Sequence, residues 1–179
     1  YKVTVQYPDG CSISDEITIT KSTVTVAPIT GDAGICDGET TTLASVTPGG
    51  VWTTSDAAVV TVSPAGLVTS VAPGTTTITY TVTNGDGCTG SQQFVVTVNP
   101  IPAAPVITGT LTLFEGGTTT LSGGTPGGAW TTSDAAIATV NGTGVVTGVA
   151  GGSADITYTI TSASGCTSLA TVTVTVDGF

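Results

Sequence analysis

Residues 50–58 read Gly-Val-Trp-Thr-Thr-Ser-Asp-Ala-Ala, and residues 128–136 read Gly-Ala-Trp-Thr-Thr-Ser-Asp-Ala-Ala. At the offset that aligns them, Trp52 matches Trp130, Tyr80 matches Tyr158 and Cys88 matches Cys166. Residues 36–98 and 114–176 share 35 identities in 63 positions without a gap, which is duplication. Residues 1–23 carry part of a third copy, with Cys11 falling where Cys88 and Cys166 fall. The expected organisation follows. Residues 1–23 are the last two strands of a preceding repeat, residues 24–99 one full repeat, and residues 100–179 another. Asn99-Pro-Ile-Pro-Ala-Ala-Pro105 is a short, stiff joint between them.

Within each copy the period is two. Ile78-Thr-Tyr80-Thr-Val82-Thr and Val172-Thr-Val174-Thr-Val176 place apolar side chains on one face and threonine on the other. That is the pattern of a half-buried antiparallel strand. Strands are expected at 28–31 with 34–36, then 40–45, 50–54, 58–62, 67–71, 77–83 and 91–98. Turn residues separate them: Pro48-Gly-Gly, Ser63-Pro-Ala-Gly66, Ala72-Pro-Gly74 and Asn84-Gly-Asp-Gly87. Seven short strands in about 78 residues point to an all-β, immunoglobulin-like sandwich, repeated in tandem. Composition agrees: 41 Thr and 23 Val among 179 residues favour pleated strands. Each repeat should add roughly 35–40 Å to a rod.

The same composition excludes several functions. Charged residues are 8% of the chain, with two Lys or Arg, no His, and a net charge of −10. Without His there is no Ser-His or Cys-His nucleophile pair and no imidazole metal site. Two cations cannot neutralise a run of phosphates, which argues against nucleic acid. No apolar run is long enough to span a bilayer, so no membrane-inserted helix is expected. The sequence opens on Tyr1 inside a strand-like pattern, and reads as a processed or excised piece of a longer protein.

Trp130-Thr-Thr-Ser-Asp134-Ala-Ala-Ile-Ala-Thr-Val140 followed by Gly144-Val-Val-Thr-Gly-Val149, then an Ile-Thr-Tyr strand, resembles the bacterial immunoglobulin-like domain, group 2. The resemblance covers both full repeats, and residues 1–23 fit its end. The added cysteines resemble those in surface repeats of gliding, Bacteroidota-type bacteria. The resemblance implies a non-catalytic module of a large secreted adhesin or surface filament, located outside the cell or on its surface. Implied partners are neighbouring repeats or copies of the chain, and beyond them surface glycans or another cell. The family also occurs in phage tail and capsid decorations. A carbohydrate-binding accessory module of a secreted or phage protein is the alternative.

Single residues weigh toward structure. Trp52, Tyr80, Val62 and Val71 are expected to form a core, with Trp130, Tyr158, Val140 and Val149 as their copies; two exposed coplanar aromatics would instead make a sugar platform. Asp56 and Asp134 are read as turn caps, because a glycosidase needs two facing acids and no second acid recurs in both copies. Asp32, Asp37, Glu39 and Asp86 could offer oxygen ligands to Ca²⁺, but the second copy has Gly117 and Ser164 at the last two places. The reading therefore carries no cofactor, with Ca²⁺ as the weak exception, and no catalytic or metal-binding residue. Asn141-Gly-Thr143 is a glycosylation sequon of low weight in a bacterial setting.

Cys11, Cys36, Cys88 and Cys166 contain no Cys-x-x-Cys spacing, so disulfides are the default for an extracellular chain. Two pairings stay open. Cys36–Cys88 would lie within one repeat. If the strands alternate in direction, however, those two cysteines lie at opposite poles, farther apart than the roughly 7 Å that a disulfide allows between Cα atoms. Cys36–Cys166 would then staple one repeat to the next. The substitution pattern leans the same way, since Cys36 is matched by Phe114 while Cys166 remains.

Overall fold

The computed structural model describes residues 2–16 and 22–178. It is all-β among these residues, with sixteen strands and immunoglobulin-like topology. Strands β1 (Lys2–Gln6) and β2 (Ser12–Glu16) form a two-stranded antiparallel hairpin. Strands β3 (Gly34–Cys36), β5 (Val51–Thr54), β8 (Gly74–Thr83) and β9 (Thr89–Asn99) form one sheet in the order β3-β9-β8-β5. Strands β4 (Thr40–Thr42), β6 (Val60–Val62) and β7 (Leu67–Ser70) form a second, in the order β4-β7-β6. Every neighbouring pair is antiparallel except β3 and β9, which run parallel.

The same arrangement recurs in the second copy. Strands β10 (Thr112–Phe114), β12 (Ala129–Thr132), β15 (Gly152–Thr161) and β16 (Thr167–Asp177) form the sheet β10-β16-β15-β12. Strands β11 (Thr118–Thr120), β13 (Ala138–Val140) and β14 (Val145–Gly148) form the sheet β11-β14-β13. Each pair of sheets closes on its own core. The first core holds Leu43, Val60 and Val68 from the smaller sheet's side against Ile78, Val96 and Val98. The second holds Leu121, Ala138 and Val146 against Ile156, Val174 and Val176.

The long strand β8 shows why this sequence folds so. Its alternate residues Thr76, Ile78, Tyr80 and Val82 are buried, and the intervening threonines line the other face. Thr76 is the one polar member of that inward row, and its hydroxyl is fully used. It lies 3.2 Å from Thr54 Oγ1 and 2.9 Å from Ser55 Oγ, and accepts the Asp56 N–H at 3.1 Å. The second sandwich has Ala154 there, and Thr132 Oγ1 turns instead to the Ala138 carbonyl at 3.0 Å. One buried hydroxyl is thus either satisfied three times or replaced by a methyl group, as the cost of an unpaired buried polar atom requires.

Tyr80 and Tyr158 sit inward on β8 and β15, each about 5% exposed. The Tyr80 hydroxyl donates to the Thr47 carbonyl at 2.8 Å and accepts the Gly50 N–H at 2.9 Å. Tyr158 does the same with Thr125, at 2.6 Å, and Gly128, at 2.8 Å. The Pro-Gly-Gly turn is explained by this anchor. A Cβ on Gly50 or Gly128 would fall 2.3 or 2.4 Å from the tyrosine Cζ, so only glycine lets the backbone lie on the ring.

Part of the expected core is corrected. Val71 and Val149 are 52% and 44% exposed. Strand β7 ends at Ser70, and the next N–H, that of Val71, bonds to Val59 across the turn, so the side chain faces out. Val149 makes the same bond to Ile137. Val62 and Val140 pack against the cores but are only partly buried. Trp52 and Trp130 are half-buried, since β5 and β12 are edge strands and carry their rings at the sandwich margin. In the hairpin, Val3 and Val5 are 61% and 51% exposed; Ile17 and Ile19, for which the same exposure is expected, lie outside the described residues.

Removing the anchor should be measurable. Tyr158→Phe leaves the Gly128 N–H and Thr125 carbonyl without their partner and should cost about 1–3 kcal/mol. Gly128→Ala forces a methyl group into the ring and should cost more. Urea unfolding followed by Trp130 fluorescence in a Trp52→Phe background reads the second sandwich alone; an unchanged midpoint for both variants contradicts the anchor.

Candidate functional site at the junction

No acid, base or thiol lines the open cleft beside the Gly123–Gly128 turn, a volume of about 430 Å³ bordered by Trp130, Thr143 and Tyr158. Trp130 does not stand free in it. Its ring lies against Tyr158, its cross-strand neighbour, with centroids 4.5 Å apart and planes tilted by 39°. Trp52 and Tyr80 repeat this at 4.4 Å and 38°. These edge-strand rings cover the tyrosines that anchor the turns.

The acids singled out from the sequence are dispersed. Asp56 Oδ1 accepts the Ala58 N–H at 2.9 Å and Asp134 Oδ1 accepts the Ala136 N–H at 2.8 Å, and both main-chain carbonyls hold the following turn. Glu39 accepts the Cys36 N–H at 3.0 Å, and Asp37 faces Ser70 Oγ at 3.5 Å. Asp86 faces Ser22 Oγ at 3.4 Å. Among the described residues no three acidic or cysteine side chains converge as a metal-holding group. Asn141 turns its amide oxygen inward onto the N–H groups of Thr143 and Val145, both at 3.0 Å.

What the fold does bring together is Cys36 and Cys166. They form a disulfide with Cα atoms 5.6 Å apart, across 130 residues of sequence. The position follows from the sheets. Cys36 ends β3, which runs parallel to β9, and is paired with Asn99, the last residue of β9. The Asn99 carbonyl accepts the Asp37 N–H at 2.9 Å, and its amide donates to the Ile35 carbonyl at 3.3 Å. Cys36 is therefore fixed at the pole where the chain leaves the first sandwich. Cys166 ends the tight turn between β15 and β16, which faces that pole, and its sulfur lies 3.9 Å from the Asn99 carbonyl oxygen. Cys166 is 1% exposed.

Cys88 lies at the other end of β9, beside Thr89. Eleven residue steps at about 3.4 Å each put it about 37 Å from Asn99 and hence from Cys36. Cys88 and Cys11 are thiols, the first half-buried and the second exposed. The element that sequence reasoning did not single out is Ser22. Its hydroxyl accepts from Asn84 Nδ2 at 2.8 Å, tying the chain ahead of the first sandwich to the turn that carries Cys88.

Residues 15–91 match the model of the bacterial Ig-like domain, group 2. No curated protein matches the chain. Among solved structures, it is similar to a C-terminal 282-residue fragment of intimin, crystallised with the intimin-binding domain of the translocated intimin receptor. Identity is 19% and the TM-score 0.46, over 85% of this chain and 64% of that fragment. It is also similar to domains 4 and 5 of the S-layer protein SbsC, with 20% identity and a TM-score of 0.32 over 97% and 88% of the two chains. A Ca²⁺-stabilised adhesin of an ice-binding Antarctic bacterium shows 17% identity and a TM-score of 0.42 over 99% of this chain and 56% of its own.

Thiol counting checks the pairing. In denaturant without reductant, two thiols per chain should react with a maleimide, and four after reduction. Mass mapping should place the first two at Cys11 and Cys88. A Cys36–Cys88 linkage would leave Cys166 labelled instead.

Proposed function

We propose that this chain is a non-catalytic structural segment of an extracellular adhesin or surface filament, and that its work is mechanical. The observation that carries the reading is the Cys36–Cys166 bond, which joins two separately closed cores beside the linker. Two small sandwiches joined by a linker alone would swing about it. Here the hinge is crossed twice, by the Pro-rich segment 99–105 and by the disulfide, so bending must deform both. On chain entropy the closed loop contributes about 5 kcal/mol as well. The composition fits an exterior setting: a charge-poor, threonine-faced surface and a disulfide between cysteines that a reducing cytosol would keep as thiols. Its partners are then adjoining Ig-like units and whatever the parent protein's end grips.

The tilted Trp–Tyr pairs, with the tyrosine buried and the tryptophan half-buried, offer no coplanar aromatic platform, so we favour the stalk over the sugar-binding alternative.

A protease site inserted between Ala103 and Ala104 tests the joint. After cleavage the halves should migrate as one species without reductant and separate once it is added. X-ray scattering should give an elongated, single-conformation profile that broadens on reduction. Halves that part without reductant, or a profile indifferent to reduction, would overturn the stiff-joint reading.

A further inference from the structure

We infer that Cys88 is the receiving half of a second staple. Its partner is a cysteine on the β3-type strand of an Ig-like unit that precedes residue 24, held as Cys36 is held toward Cys166. Three observations converge on it. The first is the turn. In residues 162–166, Ser162 N–H bonds to the Cys166 carbonyl at 2.8 Å, Gly165 N–H to the Ser162 carbonyl at 3.0 Å, and Cys166 N–H to the Ser162 side chain at 3.1 Å. Residues 84–88 repeat all three, at 2.9, 3.1 and 2.9 Å, with Asn84 in place of Ser162. Cys88 is thus presented as the bonded Cys166 is.

The second observation is what already lies beside it. Counting back from Pro28 and Pro105, Ser22 stands where Asn99 stands. Asn99 is the residue with which Cys36 is paired and beside which Cys166 sits. Ser22 is hydrogen-bonded to Asn84 at 2.8 Å, so the end of the preceding segment is docked on the Cys88 turn. A β3-type strand running parallel to that segment would bring its terminal cysteine to Cys88.

The third is the hairpin. β1 and β2 put Val3, Val5 and Ile13 on one face, 61%, 51% and 63% exposed. Val3 and Val5 correspond to Tyr80 and Val82, which are buried inside a complete sandwich. The occupant that covers this face and the one that supplies the cysteine are the same: the remaining strands of a preceding unit.

Bond formation joins two sulfurs and releases two protons and two electrons. A disulfide oxidant takes them up, here oxidised glutathione, which leaves as two thiols.

The test keeps the full chain and places a second copy of residues 24–77 directly ahead of Tyr1, so that residues 1–23 can close a unit. The fusion is refolded with oxidised and reduced glutathione, alkylated and mapped after Asp-N digestion. Cys88 should be linked to the added copy of Cys36, and its alkylation should fall at least tenfold while Cys11 stays fully labelled. Because residues 1–23 lack the anchoring tyrosine at Val3, a second fusion replaces residues 1–22 by a complete second copy of residues 24–99. Alkylation of the native Cys88 at the parent level in a folded fusion overturns the proposal. So does failure of both fusions to fold a unit ahead of residue 24, judged by loss of a third cooperative unfolding step. The proposal extends the rod reading but fails separately from it: Cys88 can remain a thiol while the Cys36–Cys166 joint survives linker cleavage.

Discussion

In each sandwich the central long strand delivers one tyrosine to the opposite end of the fold, and that side chain fixes several things at once. Its ring fills the core margin, and the edge-strand tryptophan lies over it. Its hydroxyl bridges a carbonyl and an N–H on either side of the Pro-Gly-Gly turn. The bridge holds the turn against the sheet, and the turn sets where the edge strand begins. Without the hydroxyl a partly buried N–H and a carbonyl would lose their partner; without the glycine the backbone could not approach. Tyrosine, glycine pair and tryptophan therefore recur together in both copies.

Most of the fold was readable because its rules are local. Period-two alternation on β8 and β16 announces one buried face, and Gly, Pro and Asn clusters announce where strands must end. Errors fell where tertiary position overrides the local pattern. Val71 and Val149 carry a strand-like side chain at the first residue after a strand, and only the cross-turn bonds to Val59 and Ile137 show that they point away. Trp52 and Trp130 have the inward parity but stand on edge strands, where an inward ring is only half covered. Edge or centre is a property of strand order, which residue pattern alone does not fix.

The junction was legible to a different degree. Which pole a cysteine occupies follows from strand parity, so Cys36 and Cys88 could be assigned to opposite ends from sequence. Strand parity does not fix whether Cys166 faces Cys36 closely enough to bond, since this depends on how the linker turns. Asn99 decides it: the last residue of β9 pairs with Cys36 and lies against Cys166, so strand end, linker start and disulfide share one place. Ser22 was invisible for a related reason. Its role rests on a hydrogen bond to a residue far along the sequence, and a lone serine before a strand carries no pattern.

Tension along the chain meets a covalent shortcut. A pull applied at Ser22 and Gly178 passes from residue 22 to residue 36, crosses the sulfurs to residue 166, and continues along β16 to residue 178. Residues 37–165, which include both anchoring tyrosines and most of both cores, lie in a closed loop off that route. A bare polypeptide from 22 to 178 could be drawn out to about 550 Å at about 3.5 Å per residue, whereas the bonded one yields only about 100 Å. The bond thus acts as a tether stop. Even if force peels β3 and β16 from their sheets, the slack released stays small, because the loop behind the disulfide cannot be paid out along the pull.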